Sequence, residues 1–330
     1  MSSVDLGQRI SYRVVEDDLS RDTLAETVRN GFEKSPRQLP PRVLYDGRGS
    51  ALYREICNLS DYYPAQKEEF ILNEFADEIV QEVGFPQTIT ELGCGSAEKT
   101  RGIIETLIEE NQSLDYEMID ISDEQLREAA ESVVEEYDSL TVTAVAGDYI
   151  SGLERLPEID GSRVLLFLGG SLGNFDPEDA ESFLRTVRQS VQSSEGILVG
   201  VDLVKDPEII EQAYNDSEGV TAQFNKNILR RINKELGGRF RPEKFRHEAP
   251  FVEEKSRIEM RLVSEVKQRV FVEGLSRSYE FDSGDYIHTE SSYKYEIESF
   301  EQLVERAGYE LHRYWTDPAE HFALTLLKAE

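Results

Sequence analysis

The chain is poor in cysteine, histidine, tryptophan and positive charge. Its 330 residues include two cysteines, Cys57 and Cys94, so no disulfide framework is implied and a reducing compartment fits. The four histidines, His247, His288, His312 and His321, are scattered without metal-ligand spacing, and no metal is expected. No apolar run approaches the ~20 residues of a membrane span. Residues 1–13 are polar and charged, so no signal peptide is read there and a cytoplasmic protein is expected. Lys and Arg number 36 against 66 Asp and Glu, for a formal net charge of -30. That balance repels the phosphates of nucleic acid and anionic membrane surfaces, so neither is expected as a partner. The acid excess is spread along the chain, which reads either as an ordinary solvated surface or as that of an acidic protein suited to a salt-rich cytoplasm, where screening relieves self-repulsion. Loss of structure on dialysing salt away separates the second reading from the first.

Against these absences stand 39% hydrophobic and 9% aromatic residues, enough for a sizeable core, and a length that suggests two domains. The organising stretch runs Thr88-Ile89-Thr90-Glu91-Leu92-Gly93-Cys94-Gly95-Ser96-Ala97-Glu98-Lys99-Thr100. Its β-branched and apolar residues lead into a carboxylate and two close glycines, and a helical pattern follows over 99–111. This is a buried strand, a tight turn and a helix start. Glycine lets the backbone approach a ligand, and the helix N-terminus offers N–H groups behind it. Cys94 reads as filling a small slot in the turn, not as a nucleophile.

From residue 88 strand and helix alternate. Strands are expected at 88–92, 116–121, 141–146, 163–167 and 196–203, with helices at 99–111, 124–137 and 177–194. Such alternation means a parallel sheet covered on both faces, with ligands beyond the carboxyl ends of its strands. That rule singles out Gly93 to Gly95, Asp120, Asp148 and residues 169–174. Before this segment, helices are read at 18–34, entered at Asp18 or Ser20, at 51–59 and at 66–83, with a glycine-rich loop at 43–50. After it come helices at 206–214 and 222–236, then alternating segments at 245–253, 257–266, 268–273 and 277–281 read as antiparallel strands. A helix at 299–307 and a closing antiparallel pair, 309–315 with 322–328, end the chain.

The glycine loop does not fit a dinucleotide site, because Glu98 stands where G-x-G-x-x-G needs its third glycine. The pattern that remains is acid-x-Gly-x-Gly, a helix, and Asp120 at the end of the next strand. A carboxylate there can accept both hydroxyls of a ribose. Gly147-Asp148 ends the third strand, where an adenine amine could donate to it. Taken together these features fit S-adenosylmethionine.

At this point the chain resembles a known family, the bacterial histidine Nα-methyltransferases of ergothioneine biosynthesis. The matching stretches include Leu39-Pro40-Pro41 with Tyr45-Asp46, Tyr62-Tyr63-Pro64, Glu91-Leu92-Gly93-x-Gly95 with Glu98-Lys99-Thr100, and Phe167 through Asn174. Further on, Asp202 through Asp206, Tyr214, Gly219 through Asn225, Arg257-Ile258-Glu259-Met260 and Thr289 through Lys294 match in the same order. The resemblance implies an α/β protein. It would have a class I SAM-dependent, Rossmann-like methyltransferase domain at 68–203 plus 296–330 and a second, α+β substrate-binding domain at 1–67 plus 204–295. The implied reaction is trimethylation of L-histidine to hercynine, with S-adenosyl-L-methionine as cofactor. Tyr45, Gly93, Lys99, Asp120 and Asp148 would line the cofactor site. Asn174 and Tyr214 would hold the substrate α-carboxylate and act as the catalytic pair. Tyr62, Glu290 and Ser292 would meet the imidazole, with Met260 packing nearby. Two departures stand out: Cys94, where the family often has serine, and Tyr293, where it often has cysteine, beside the specificity pair. A related small-molecule N-methyltransferase acting on another amino acid or an indole amine is the alternative. A monomer is expected, since a pocket shared by two domains of one chain requires no partner.

These residue types suit the chemistry. Methyl transfer from a sulfonium is a direct displacement that asks for positioning and desolvation of a neutral amine. Asn174 can donate to a carboxylate without adding charge, Glu290 can accept an imidazole N–H, and Ser292 serves either tautomer. Tyrosine faces tolerate the fixed cation that three methylations leave. No general base is evident.

Overall fold

The structure is a computed structural model that describes residues 4–5, 9–15, 21–157, 159, 161–189 and 196–329. The chain divides into two units. The first takes in the described residues of Met1–Glu16, Pro64–Val204 and Lys294–Glu330. Its single sheet runs in the order Val4–Asp5, Ile10–Val14, Leu140–Ala146, Leu114–Asp120, Thr88–Leu92, Arg163–Phe167, Gly196–Asp202, Phe322–Ala329, Tyr309–Thr316. From Ile10–Val14 to Gly196–Asp202 neighbours are parallel, and the closing pair is antiparallel. Helices Arg101–Asn111, Asp123–Glu136 and Pro177–Gln189 make the crossovers. Thr88–Leu92 is buried at every position because a central parallel strand is covered on both faces. Strand order reverses at this strand, and the glycine turn leaves its carboxyl end at that switch point. This is the α/β, Rossmann-like fold of class I S-adenosylmethionine-dependent methyltransferases.

Several local readings change. Residues 1–67 are expected in the second domain; within them, Ile10–Val14 pairs in parallel with Leu140–Ala146 in the large sheet. Ile10 and Tyr12 bury on its core face, which makes it a sheet strand. The helix expected at 66–83 is two, Tyr63–Glu74 and Ala76–Val83, because Phe75 leaves helical geometry at φ -113, ψ 17. The loop expected at 43–50 is a short turn, Pro41–Leu44, followed directly by helix Gly47–Cys57. Asp46 caps that helix by accepting the Gly49 N–H at 2.8 Å, and this draws both glycines into its first turn. Helix 177–194 is seen as Pro177–Gln189, and residues 190–194 lie outside the described residues, as do Asp18 and Ser20.

The second unit, the described residues of Asp17–Tyr63 and Lys205–Tyr293, carries a largely antiparallel sheet. Its order is Phe251–Val252, Arg257–Ser264, Tyr286–Tyr293, Arg37–Gln38, with Phe245–Glu248 also paired to Arg257–Ser264. The strand read at 245–253 breaks between Glu248 and Phe251, where Pro250 has no N–H to give a ladder. Helix Val220–Leu236 buries Phe224, Ile228, Leu229, Ile232 and Leu236 along one stripe. A separate hairpin, Gln268–Val272 with Arg277–Phe281, packs Tyr279 and Phe281 edge-on against Phe32 at 4.9 and 6.3 Å.

Candidate active site

In the first unit the glycine turn is built as its sequence requires. Gly93 and Gly95 have φ of +79° and +55°, the left-handed region, and a Cβ at Gly93 would stand 3.2 Å from the Tyr149 ring. The Gly95 N–H donates to Asp120 Oδ2 at 2.9 Å, and the Ser122 N–H donates to Asp120 Oδ1 at 2.8 Å. One carboxylate therefore braces the turns that follow Thr88–Leu92 and Leu114–Asp120. Burial pushes the Asp120 carboxyl above its ordinary value, and the N–H donors pull the other way. Cys94 is buried in the turn. Burial, then the Asp120 and Glu91 charges, push its thiol well up, which disfavours a thiolate and fits a packing role. Asp148 caps helix Tyr149–Leu153, accepting the Ile150 and Ser151 N–H groups at 2.9 and 3.0 Å and the Ser151 hydroxyl at 2.8 Å. Asn174 closes the helical turn Ser171–Asn174, which follows Gly169 and Gly170 beyond the end of strand Arg163–Phe167.

Lys99 does not stand alone. Its ammonium donates to Glu68 Oε2 at 2.7 Å, and the Gly169 N–H donates to the same carboxylate at 2.7 and 2.9 Å. Glu68 is wholly buried. A Cβ on Gly200 would stand 2.1 Å from Glu68 Oε1, so the glycine makes the space that the carboxylate fills. Beside it, Glu91 accepts the Thr100 hydroxyl at 2.8 Å and the Tyr116 hydroxyl. Burial first, with a lesser push from Glu68, raises its carboxyl to about 7, against the two hydroxyl bonds and Lys99. Sequence reasoning passed over Glu68, because a glutamate in an amphipathic helix ordinarily faces water; Gly200, alone inside an apolar strand, was the available signal.

In the second unit five predicted residues come together. Tyr214 ends helix Pro207–Tyr214, and its hydroxyl donates to Ser292 Oγ at 2.8 Å. Glu290 and Ser292 lie two apart on strand Tyr286–Tyr293 and share a face, both below a tenth exposed. Met260 is paired across the ladder with Glu290. Tyr62 packs edge-on against Tyr214 at 5.8 Å. Tyr45 is in this unit too, its ring 5.6 Å from Tyr53 and 5.5 Å from Phe224, among aromatic residues and apart from the other predicted cofactor residues in sequence and unit. Tyr53, which sequence reasoning missed, joins the cluster at 6.5 Å from Tyr62. Burial, then Cys57 and with smaller pushes Glu290 and Tyr214, hold the Tyr53 phenol far above its usual range. Burial, then Tyr53 and Tyr214, with smaller pushes from Cys57 and Glu290, do the same for Tyr62. These are neutral phenols, suited to packing and donating but not to taking a proton. Tyr293 belongs to the opposite face, where its hydroxyl accepts from Arg257 at 2.6 Å and Arg257 in turn is paired to Glu259.

A family model described as histidine-specific, SAM-dependent methyltransferase matches residues 24–329. The chain belongs to this family. S-adenosylmethionine-dependent methylation of histidine is therefore its activity. Among relatives, the histidine N-alpha-methyltransferase of Mycolicibacterium smegmatis is 35% identical over 309 residues, covering 94% of this chain and 96% of that protein. Ergothioneine biosynthesis protein 1 of Neurospora crassa is 32% identical over 89% of this chain and 33% of that much longer protein. Among solved structures, magnesium protoporphyrin IX methyltransferase from Synechocystis PCC 6803 aligns over 88% of this chain and 98% of that one, with 10% identity and a TM-score of 0.47. Histidine-specific methyltransferases need a site for a nucleoside sulfonium and a site for an imidazole. Among the described residues, the braced glycine turn and the acid-and-hydroxyl face of Tyr286–Tyr293 carry groups able to meet a nucleoside and an imidazole.

Proposed function

We propose that the protein transfers three methyl groups to the α-amine of L-histidine, giving hercynine, a step toward ergothioneine. The observation that carries this reading is the clustering of Tyr214, Ser292, Glu290, Met260 and Tyr62 in the second unit. In this reading the first unit is the methyl-donor domain and the second the histidine domain. Gly93 and Asp120 hold the donor's nucleoside, Asp148 its adenine, and Lys99 its charged tail; Tyr45 is a further donor contact. S-adenosylmethionine supplies an electrophilic methyl on a sulfonium. The fit is chemical: Asp120 takes one N–H on each oxygen and retains lone pairs for a ribose diol.

Asn174 and Tyr214 hold the α-carboxylate by neutral donors. Glu290 accepts an imidazole N–H, and the Tyr214–Ser292 hydroxyl pair serves as donor or acceptor as the ring requires. A substrate lacking the imidazole leaves these buried groups unmatched, which is how a polar site rejects a near-analogue by ~10⁴-fold or more. The tyrosine rings and the Glu290 carboxylate stabilise the fixed positive charge of the product. With the phenols held neutral, the amine loses its proton to water before each transfer. Tyr293 faces Arg257, so a tyrosine at this position leaves the imidazole contacts in place. A cytoplasmic monomer completes the proposal.

The test is an incubation with S-adenosylmethionine and a panel of free amino acids and indole amines, followed by mass spectrometry. Histidine gaining up to three methyl groups is expected. Methylation of another member of the panel, with histidine untouched, would overturn the reading.

A further inference from the structure

One buried chain of hydrogen bonds reaches both sides of the histidine cluster without belonging to it. The ladder between Arg257–Ser264 and Tyr286–Tyr293 changes register between Met260 and Arg261: Met260 faces Glu290, but Arg261 faces His288. Thr289 is the extra residue, a β-bulge, and a bulge re-aims the side chains that flank it. Thr289 is fully buried, and its hydroxyl donates to Asn225 Oδ1 at 2.7 Å, with the Met260 carbonyl 3.1 Å away. Asn225, also fully buried, directs its amide nitrogen to the Arg261 carbonyl at 3.3 Å and to His247 Nδ1 at 2.9 Å. A carbonyl only accepts, so the amide orientation is set and His247 Nδ1 is an acceptor. The imidazole proton is then on Nε2, which donates to the Tyr214 carbonyl at 2.9 Å. That carbonyl is at the C-terminal end of its helix, where the last turn has no helical partner for it.

We propose that Thr289, Asn225 and His247 are positioning residues that set how the protein grips histidine. The bulge aims Glu290, the same chain pins the helix end that carries Tyr214, and Asn225 couples the two. The inference rests on the reading of Glu290 and Tyr214 as histidine contacts. Unlike that reading, it assigns a role to groups that do not touch the substrate.

The test compares Thr289→Val, which keeps the shape and removes the hydroxyl, with Thr289→Ser, which keeps the hydroxyl. L-histidine affinity is measured by calorimetry on the full chain saturated with S-adenosylhomocysteine, alongside the affinity for S-adenosylhomocysteine itself. Thr289→Val is expected to weaken histidine binding about tenfold, the loss of one buried hydrogen bond. S-adenosylhomocysteine affinity should stay within about twofold, and Thr289→Ser should restore histidine binding to within about twofold. In turnover the same split appears, with KM for histidine rising more than kcat falls. Should Thr289→Val fail to fold, His247→Leu against His247→Gln decides in the same way, because glutamine keeps a donor for the Tyr214 carbonyl. Equal histidine affinity in both members of a pair, or equal loss in both, overturns the inference. Glu290→Ala is the control. If it weakens histidine binding and Thr289→Val does not, the positioning chain alone fails; if it does not weaken it, the placement of the histidine site fails as well.

Discussion

Replacing Glu91 by glutamine isolates one buried charge beside the glycine turn. Glu91 accepts hydroxyls from Thr100 and Tyr116, and an amide keeps both the shape and an acceptor oxygen for them. Burial raises its carboxyl from 4.5 to about 7. A carboxyl whose folded pKa is raised favours folding fully below the unfolded pKa of 4.5 and loses that contribution as pH climbs through about 7. At ~1.4 kcal/mol per pH unit between 4.5 and about 7, the ionised side chain costs about 3–4 kcal/mol above pH 8. Glu91→Gln should match the wild type near pH 5 and be more stable at pH 8.5 by up to about 3–4 kcal/mol. For a chain of this length melting as one, that is roughly 5 °C in Tm. The assay is a melting series of both proteins, without ligand, from pH 5 to 8.5. Because the rest of the acidic surface is common to both, only their difference matters. A constant difference across the series, or a wild type that is the more stable protein at pH 8.5, would refute the reasoning.

Two further outcomes follow from buried groups. Lys99→Met leaves the Glu68 carboxylate buried with the Gly169 N–H but without its cation. Calorimetry and melting should show a loss of about 2–4 kcal/mol in stability together with weaker S-adenosylhomocysteine binding, and unchanged stability would mean that the ion pair is idle. His247 has its pKa lowered chiefly by burial, with Lys226 pushing the same way and Asp216 and the Tyr214 carbonyl opposing. A histidine depressed in this way contributes stability above its unfolded value of about 6.5 that is lost as pH falls. His247→Gln should therefore lose less Tm than the wild type between pH 7 and 5, and parallel melting curves would count against it.

Much of the first unit was legible because its signals are local. The strand at Thr88–Leu92 and the glycine turn announce themselves by β-branched residues and by positions that only glycine occupies easily. The closing antiparallel pair, 309–315 with 322–328, was also legible. Ile10–Val14 was not read as a strand, since five half-polar residues far from the sheet carry no sign of which strand they will join. The break at Phe75 is invisible in a pattern that stays helical on both sides. Tyr53 reads as one more packing residue of a short helix until it is seen beside Tyr62.

The amino-acid sequence by itself determined the alternation of strand and helix, the carboxylates at strand ends, and the histidine-specific methyltransferase motifs in their order. The first two follow from periodicity, turn stereochemistry and spacing, which act over a few residues, and the motifs are read by their resemblance to the family. Tertiary structure alone decided that Glu68 is buried against Gly169, 101 positions away, and that the Thr289 bulge meets Asn225, 64 positions away. The reason is physical: the cost of burying a polar group is set by the partners that come to meet it, and those partners are chosen by the packing of distant segments.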